Sequence, residues 1–267
     1  MENETLLQEK IALLKKNVGD FGKAALAFSG GVDSTFLAKI CFEALGDNAL
    51  AITADTPFMA RSEMTEAHQM AQEIGIRHQI VQLNDIGEQI LANPKDRCYW
   101  CKTAVFKKLW EITKTESLGF LLDGTNLDDL DDYRPGLKAL SELEVKSPLQ
   151  EVGFTKDDIR QASKSMGLPT WEKPSLACLA SRIPYDQPIT TEKLGRVEKA
   201  EEFLREKGIV QLRVRDHQEI ARIEVSPEER VKFFSAEFLD ETTSYLRELG
   251  FRYVTLDMEG YRTGKLN

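Results

Sequence analysis

From residue 23 to about 170 the chain alternates short apolar runs with longer stretches whose apolar side chains recur at helical spacing. The runs Ala24–Phe28, Ala49–Thr53, His78–Leu83 and Gly119–Asp123 have strand length, and the periodic stretches Asp33–Leu45, Arg61–Ile74, Lys102–Lys114 and Thr155–Met166 have helix length. Ahead of them, Leu6, Leu7, Ile11 and Leu14 mark an amphipathic N-terminal helix. Strands alternating with helices predict an α/β fold, a mostly parallel, doubly wound sheet with helices on both faces. Ligands of such sheets bind beyond the carboxyl ends of the strands, near the point where the strand order reverses.

Residues 172–190 break the pattern. Pro174, Pro184 and Pro188 exclude one uninterrupted helix, so the segment reads as an ordered loop bridging two domains. Beyond it the pattern predicts a helix near Thr191–Lys207, a strand pair Ile209–Arg215 and Glu219–Val225, a helix from Pro227 to about Leu249 and a last strand Phe251–Asp257. The expected organisation is a nucleotide-type domain over 1–172, a connecting loop over 173–190 and a smaller α+β domain over 191–267.

The first strand runs into Ser29-Gly30-Gly31-Val32-Asp33-Ser34-Thr35 and then into a helix. Two glycines let the backbone turn sharply and approach a ligand closely. The unpaired amides of the helix's first turn then favour an anion, and Ser29, Ser34 and Thr35 add hydroxyl donors. The alternative is a plain capped helix with Asp33 or Ser34 near the N-cap. No Gly-Lys-Ser/Thr of a Walker A loop occurs. Two further motifs lie at strand ends, Thr53-Ala54-Asp55-Thr56-Pro57 and Asp123-Gly124-Thr125-Asn126. In the second, Gly124 and Thr125 suit a nucleotide site, and the nearby Asp128, Asp129, Asp131 and Asp132 suit either Mg²⁺ beside phosphates or a solvated turn that caps a helix.

Composition narrows the partners. At 267 residues, 42% apolar and 30% charged, the chain can bury one sizeable core plus a smaller unit. A net charge of −9 opposes broad binding to a nucleic-acid backbone. No apolar run approaches the roughly 20 residues of a membrane span. The acidic start Met1-Glu2-Asn3-Glu4 is unlike a secretory signal, so a cytoplasmic compartment is expected, where cysteines stay thiols or bind metal. Of four cysteines, Cys41 sits on an apolar helix face and reads as core. Cys98 and Cys101, spaced CxxC, can share one metal centre, and Cys178 in the proline-bounded loop is a third candidate ligand. Three thiolates would leave one iron of a four-iron cluster open, while zinc with a water, or merely structural thiols, are the alternatives. Arg213 and Arg215 project from one face of a strand, as an anion clamp or as a solvated face partnered by Glu219 or Glu224.

The loop SGGVDS resembles that of the PP-loop ATP pyrophosphatases. Together with DGTN, PSLACLASRIPY, LRVR and the ending GYRTGKLN it resembles the LarE family across essentially the whole chain. These are ATP-dependent sulfur transferases of nickel-pincer nucleotide cofactor biosynthesis. The resemblance implies adenylylation of a pyridinium dicarboxylate mononucleotide and replacement of carboxylate oxygen by sulfur. It implies ATP held by Ser29, Gly30, Gly31, Val32, Asp33 and Ser34 with Ala54, Gly124 and Thr125, and Mg²⁺ beside its phosphates. Cys178 matches the sulfur-carrying cysteine. Arg213 and Arg215 match paired arginines proposed to hold the substrate phosphate, Arg182 joins the expected substrate site, and Trp100 lies where an aromatic stacks on the pyridinium ring or shields a cluster. Cys98 and Cys101 are similar to the CxxC of members thought to hold a [4Fe-4S] cluster that passes on an extra sulfide, whereas one-cysteine members sacrifice their own sulfur. A sulfide or other sulfur donor and a homo-oligomer are expected. Amide-forming relatives such as the NAD and GMP synthetases, a tRNA thiolase, and a nucleotide-binding iron–sulfur or zinc sensor without turnover are the rival readings.

Overall fold

In the computed structural model, which describes residues 2–130, 135–174 and 177–262, the apolar runs form strands whose side chains alternate between two cores. The chain runs α1 (Glu2–Gly19), β1 (Ala24–Ala27), α2 (Val32–Leu45), β2 (Ala49–Asp55), α3 (Arg61–Ile74), β3 (Arg77–Gln82), α4 (Glu88–Leu91), α5 (Arg97–Thr115), β4 (Phe120–Leu122), α6 (Pro135–Glu142), α7 (Pro148–Val152), α8 (Lys156–Ser165), α9 (Thr191–Glu206), β5 (Leu212–His217), β6 (Ile220–Val225), α10 (Ala236–Glu248) and β7 (Tyr253–Leu256). Ala24 and Leu26 of β1, Ala49 and Ala51 of β2 and Leu122 of β4 pack in one core with α1, α2, α3 and α8. Their neighbours Ala25, Leu50, Ile52 and Leu121 pack in the other, against Phe106 and Leu109 of α5 and Leu140 of α6. The period of two along a strand thus gives a sheet covered on both faces, as the pattern predicts.

The four strands are parallel and ordered β3-β2-β1-β4. From β1 the order runs to β2 and β3 on one side and to β4 on the other, so the switch point lies between β1 and β4. The loops after those two strands are the glycine-rich run and Asp123–Asn126.

Three helix expectations need correction. Leu6 is exposed, and the buried stripe of α1 is Leu7, Ile11, Leu14 and Val18, because one residue along a helix turns the side chain by roughly 100°. α5 begins at Arg97 rather than Lys102, which puts Cys98 and Cys101 in its opening turns. The predicted helix Pro227–Leu249 is broken into a 3₁₀ segment, Pro227–Phe234, and α10, because Ser235 leaves helical geometry and its side chain accepts a hydrogen bond from the Phe238 amide. Among the described residues no helix is long and apolar enough to cross a membrane.

Two compact units result, Met1–Ile86 with Asp96–Leu176 and Gly87–Lys95 with Ala177–Asn267. The short segment around α4 joins the second unit through hydrogen bonds that no local pattern shows. Asp186 donates to the Asn93 carbonyl (2.9 Å), Ile189 donates to that of Leu91 (2.8 Å), and the Asn93 amide donates to the carbonyls of Ile183 and Pro184 (3.2 and 2.7 Å).

In the second unit β5 and β6 are antiparallel and β7 adds parallel to β6. Ala200 and Leu204 of α9 meet Leu212, Val214, Ile223 and Val225 of the sheet in its core. Glu201, on the same helix face, is fully buried, and so is Arg182 at 1% exposure. Arg182 donates Nε and Nη2 to the two Glu201 oxygens at 2.8 and 2.9 Å. Arg205 and the Val214 amide also donate to Glu201, at 2.9 and 3.0 Å.

Burial alone would raise the Glu201 pKa, but the charge and hydrogen bonds of Arg182, with Arg205 and Arg213, hold it below the ordinary glutamate value. Its contribution to stability is therefore full above the ordinary carboxyl pKa and lost as pH falls through the lowered one. Glu201→Ala leaves Arg182 buried without its counter-charge, so urea unfolding at neutral pH should show a loss of roughly 3–5 kcal/mol. The gap between wild type and variant should narrow in acid.

Candidate functional site

The glycine-rich loop of the first unit is built for close approach. Gly30 has φ +68°, and a Cβ there would lie 2.9 Å from the Ala67 backbone of α3. Only glycine fits both conditions. Gly31 is the N-cap of α2 and makes no side-chain cap, so the ordinary capped helix with Asp33 or Ser34 as cap does not form. Val32, Asp33 and Ser34 instead open the helix, where amides lack intrahelical acceptors and the dipole favours an anion. Ser34 stiffens the turn: its Oγ lies 3.1 Å from Ser29 Oγ, donates to the Gly31 carbonyl (3.2 Å) and accepts from the Ser29 amide (3.3 Å).

The turn after β4 is pressed against this loop. A Cβ on Gly124 would stand 3.1 Å from the Ser34 nitrogen. Asp123 accepts from the hydroxyl of Thr125 and from that of Ser147 (2.6 Å), which holds the buried Thr125 in place. Asp33 receives Lys156 in an ion pair and the Asn126 amide at 3.4 Å. Lys173 donates to the Gly30 carbonyl at 3.1 Å and pairs with Glu66 at 2.6 Å. Sequence reading missed Lys156 and Lys173, and it placed Asn126 in the DGTN motif without giving it a role. Lys156 follows Thr155, the N-cap of a capping box with Asp158, which reads only as a helix start.

Asp128 and Asp129 serve the backbone. Asp128 accepts from the Lys156 amide at 2.8 Å and Asp129 from that of Asn126 at 3.1 Å. Asp131 and Asp132 lie outside the described residues. Mg²⁺ is characteristically held by one or two carboxylates together with substrate phosphates. Asp33, in the first turn of α2, is a carboxylate at this loop and is paired with Lys156. Ala54 is half-buried at the end of β2, beside Asp55, whose carboxyl is held below the usual range chiefly by the hydrogen bond from Arg61.

Cys98 is exposed and Cys101 half-buried, three residues apart on α5 and therefore neighbours on one helix surface. The indole of Trp100 donates to Asp96 at 2.9 Å and meets the Tyr99 ring edge-on. Cys41 is buried as expected, and burial pushes its thiol up to about 12. Among the described residues no group of three or more His, Cys, Asp or Glu side chains comes together as a metal site.

In the second unit the exposed Cys178 precedes a 3₁₀ turn, Leu179–Arg182, whose backbone is fixed from below. Arg182 donates Nη1 to the carbonyls of Ala177 and Cys178, the latter at 3.0 Å, and to Ser181 Oγ at 3.1 Å. With Glu201 it thus holds the cysteine loop, and it sits buried beneath that loop rather than open to a ligand. Arg215 donates to the Ser181 carbonyl at 2.8 Å and pairs with buried Glu224 at 2.9 Å. Arg213 donates to the Leu212 carbonyl at 2.7 Å and stands 5.0 Å from the centre of the Tyr261 ring. Burial first, and then the charge of Arg182, hold its pKa below the usual arginine value. Of the solvated-face alternative, the Glu224 partner is found, on Arg215, but the face is not solvated: both arginines are buried, and Glu219 pairs with Arg252 instead. Glu201 went unnoticed in the sequence, because its burial is decided by α9 packing on β5.

The model of the NAD synthase family matches residues 6–104, the segment that carries the glycine-rich loop. An uncharacterized protein of Methanocaldococcus jannaschii is 29% identical over 96% of this chain and 98% of its own. An uncharacterized protein of Synechocystis sp. is 44% identical over 98% of both chains. Pyridinium-3,5-bisthiocarboxylic acid mononucleotide synthase of Lactiplantibacillus plantarum is 38% identical over 98% of this chain and 95% of that protein. Since that last likeness runs through both the phosphate-loop unit and the unit bearing Cys178, the chain belongs to the family of PP-loop ATP-utilising enzymes that includes this synthase, the LarE family.

Proposed function

We propose that the protein is an ATP-dependent sulfur transferase that adenylylates pyridinium-3,5-dicarboxylate mononucleotide and exchanges carboxylate oxygen for sulfur, giving the bisthiocarboxylate. The observation that carries this reading is Cys178, an exposed thiol on a turn held by Arg182, in a chain similar along its length to such a synthase. A carboxylate is a poor electrophile. Its oxygen attacks the α-phosphorus of ATP, pyrophosphate leaves, and the acyl adenylate now carries AMP as leaving group. A sulfur nucleophile adds at the acyl carbon and AMP departs with the former carboxylate oxygen. The open amides of α2 with Ser29 and Ser34 stabilise the pyrophosphate, and Asp33 is the candidate Mg²⁺ ligand. Gly124 and Thr125 shape the nucleotide side of this loop, and Ala54 contributes backbone at the end of β2. Arg213 and Arg215 bind the mononucleotide phosphate. Arg182 acts as a positioning residue for the Cys178 loop, and Trp100 offers its face to the pyridinium ring.

For the sulfur source, Cys98 and Cys101, adjacent thiols on one helix surface, are candidate ligands of a [4Fe-4S] cluster, and the exposed Cys178 is a further candidate thiolate; a cluster so bound would supply a site for external sulfide.

Cleavage between the α and β phosphates predicts AMP and pyrophosphate as products, and Asp33→Ala should suppress AMP formation at least roughly tenfold, read by chromatography of the nucleotides. ADP and phosphate as main products would overturn the assignment.

Arg213→Ala should weaken mononucleotide binding by about 1.5–3 kcal/mol while ATP affinity, measured in parallel by calorimetry, stays nearly unchanged. Arg213 is the cleaner probe of the pair, because removing Arg215 also takes away the donor to the Ser181 carbonyl beside Cys178 and leaves buried Glu224 with Arg222 alone.

Anaerobically purified protein should contain iron and sulfide and turn over repeatedly with added sulfide, and alanine at Cys98, Cys101 or Cys178 should remove both properties. Intact-mass spectrometry after turnover tests this directly. Dehydroalanine at position 178 with Cys98→Ala still active would replace the cluster route by sacrifice of the Cys178 sulfur.

A further inference from the structure

Two of the chain's three histidines meet on the α3 face of the sheet, on residues the sulfur chemistry does not use. His68 on α3 and His78 on β3 bring their Nδ1 atoms to 3.4 Å, with ring centres 5.6 Å apart. The hydrogen bonds around them fix the proton positions. The Thr53 hydroxyl donates to the Phe28 carbonyl at 2.8 Å, so toward His78 Nε2, also at 2.8 Å, it accepts. His78 therefore carries its proton on Nε2 and turns the lone pair of Nδ1 toward His68. Burial first, and the neighbouring His68 second, lower the His78 pKa to about 4, so this lone pair is free at neutral pH. On the other side, His68 Nε2 lies 3.2 Å from the side-chain amide of Gln72, one helical turn away.

This arrangement already has the outer half of a metal site. A histidine ligand almost always passes its second ring N–H to a fixed acceptor, which sets its tautomer. Thr53 does this for His78, and the Gln72 carbonyl oxygen does it for His68 once the amide turns over. Two nitrogens about 2.0–2.1 Å from a tetrahedral ion stand roughly 3.3–3.4 Å apart, which is the separation found here. The proton between the two Nδ1 atoms moves to His68 Nε2, so no other group has to be deprotonated. His68 is exposed and His78 half-buried, so an ion has a path in from solvent.

We propose that His68 and His78 form a two-histidine site for a divalent transition ion of the nitrogen-preferring class, held through their Nδ1 atoms with water in the remaining positions. The ion cross-links α3 to β3. Its neighbour on α3 is Ala67, the residue packed against Gly30, and Thr53 links His78 to Phe28, the residue before the phosphate loop. An ion bound here stiffens the support behind that loop.

The test is a zinc titration of the full chain, followed through the imidazole nitrogens by long-range ¹H–¹⁵N correlation. Cys98, Cys101 and Cys178 are replaced by serine to remove competing exposed or half-buried thiols; buried Cys41 is left in place. Zinc should shift the Nδ1 resonances of His68 and His78 together and leave His217 in place, and the melting temperature should rise with zinc concentration. H68Q, at an exposed position that tolerates exchange, should abolish the His78 shift, and Thr53→Val should weaken binding about tenfold. Zinc that leaves both resonances unmoved, shifts His217 equally, or still shifts His78 in H68Q would overturn the site.

Discussion

Arg182 cannot be buried at 1% exposure without a counter-charge, and Glu201 meets that need with two matched oxygens. Isolated, either charge would cost several kcal/mol to desolvate. Paired, they free Nη1 of Arg182 to reach the carbonyls of Ala177 and Cys178 and fix the turn that presents the thiol. The same carboxylate takes the Val214 amide, between Arg213 and Arg215, so the cysteine turn and the arginine strand share one anchor. A planar guanidinium with five donors suits this use, and a lysine would satisfy only part of it.

The phosphate loop rests on a different constraint, that two backbones must approach within van der Waals distance. Gly30 against Ala67 and Gly124 against Ser34 leave no room for a side chain. Because strand order reverses between β1 and β4, these two turns lie on either side of the crevice where such sheets bind ligands. Lys156 pairs with Asp33 of α2, and Lys173 donates to the Gly30 carbonyl, so two lysines from distant segments stand at the loop. The first unit carries the two close-packed glycine turns, and the second carries the exposed thiol of Cys178 and the buried Arg182, Arg213 and Arg215.

The CxxC pair shows how a helix changes the meaning of a motif. On α5, Cys98 and Cys101 are one turn apart on the same surface, the exposed one beside the half-buried one. Between them, the Tyr99 hydroxyl donates to Glu142 and the Trp100 indole to Asp96. Cys41 has the same chemistry and none of the access, since burial raises its thiol far above neutral pH.

Local sequence determined whatever depends on neighbours within a turn or a strand. The largely apolar runs Ala24–Ala27 and Ala49–Asp55 set strands buried on both faces, and Gly30-Gly31 before a helical repeat set the phosphate turn. Thr155 with Asp158 set the start of α8. The family itself was legible because SGGVDST, DGTN and the segment around Cys178 lie in fixed order along the chain. Tertiary structure alone decided that Glu201 is buried rather than solvated, that residues 87–95 join the second unit, that Lys156 pairs with Asp33 across 123 positions, and that His68 meets His78. Each of these is a pairing between elements distant in sequence. Its energy comes from desolvating both partners at once, so neither residue carries a local trace of it.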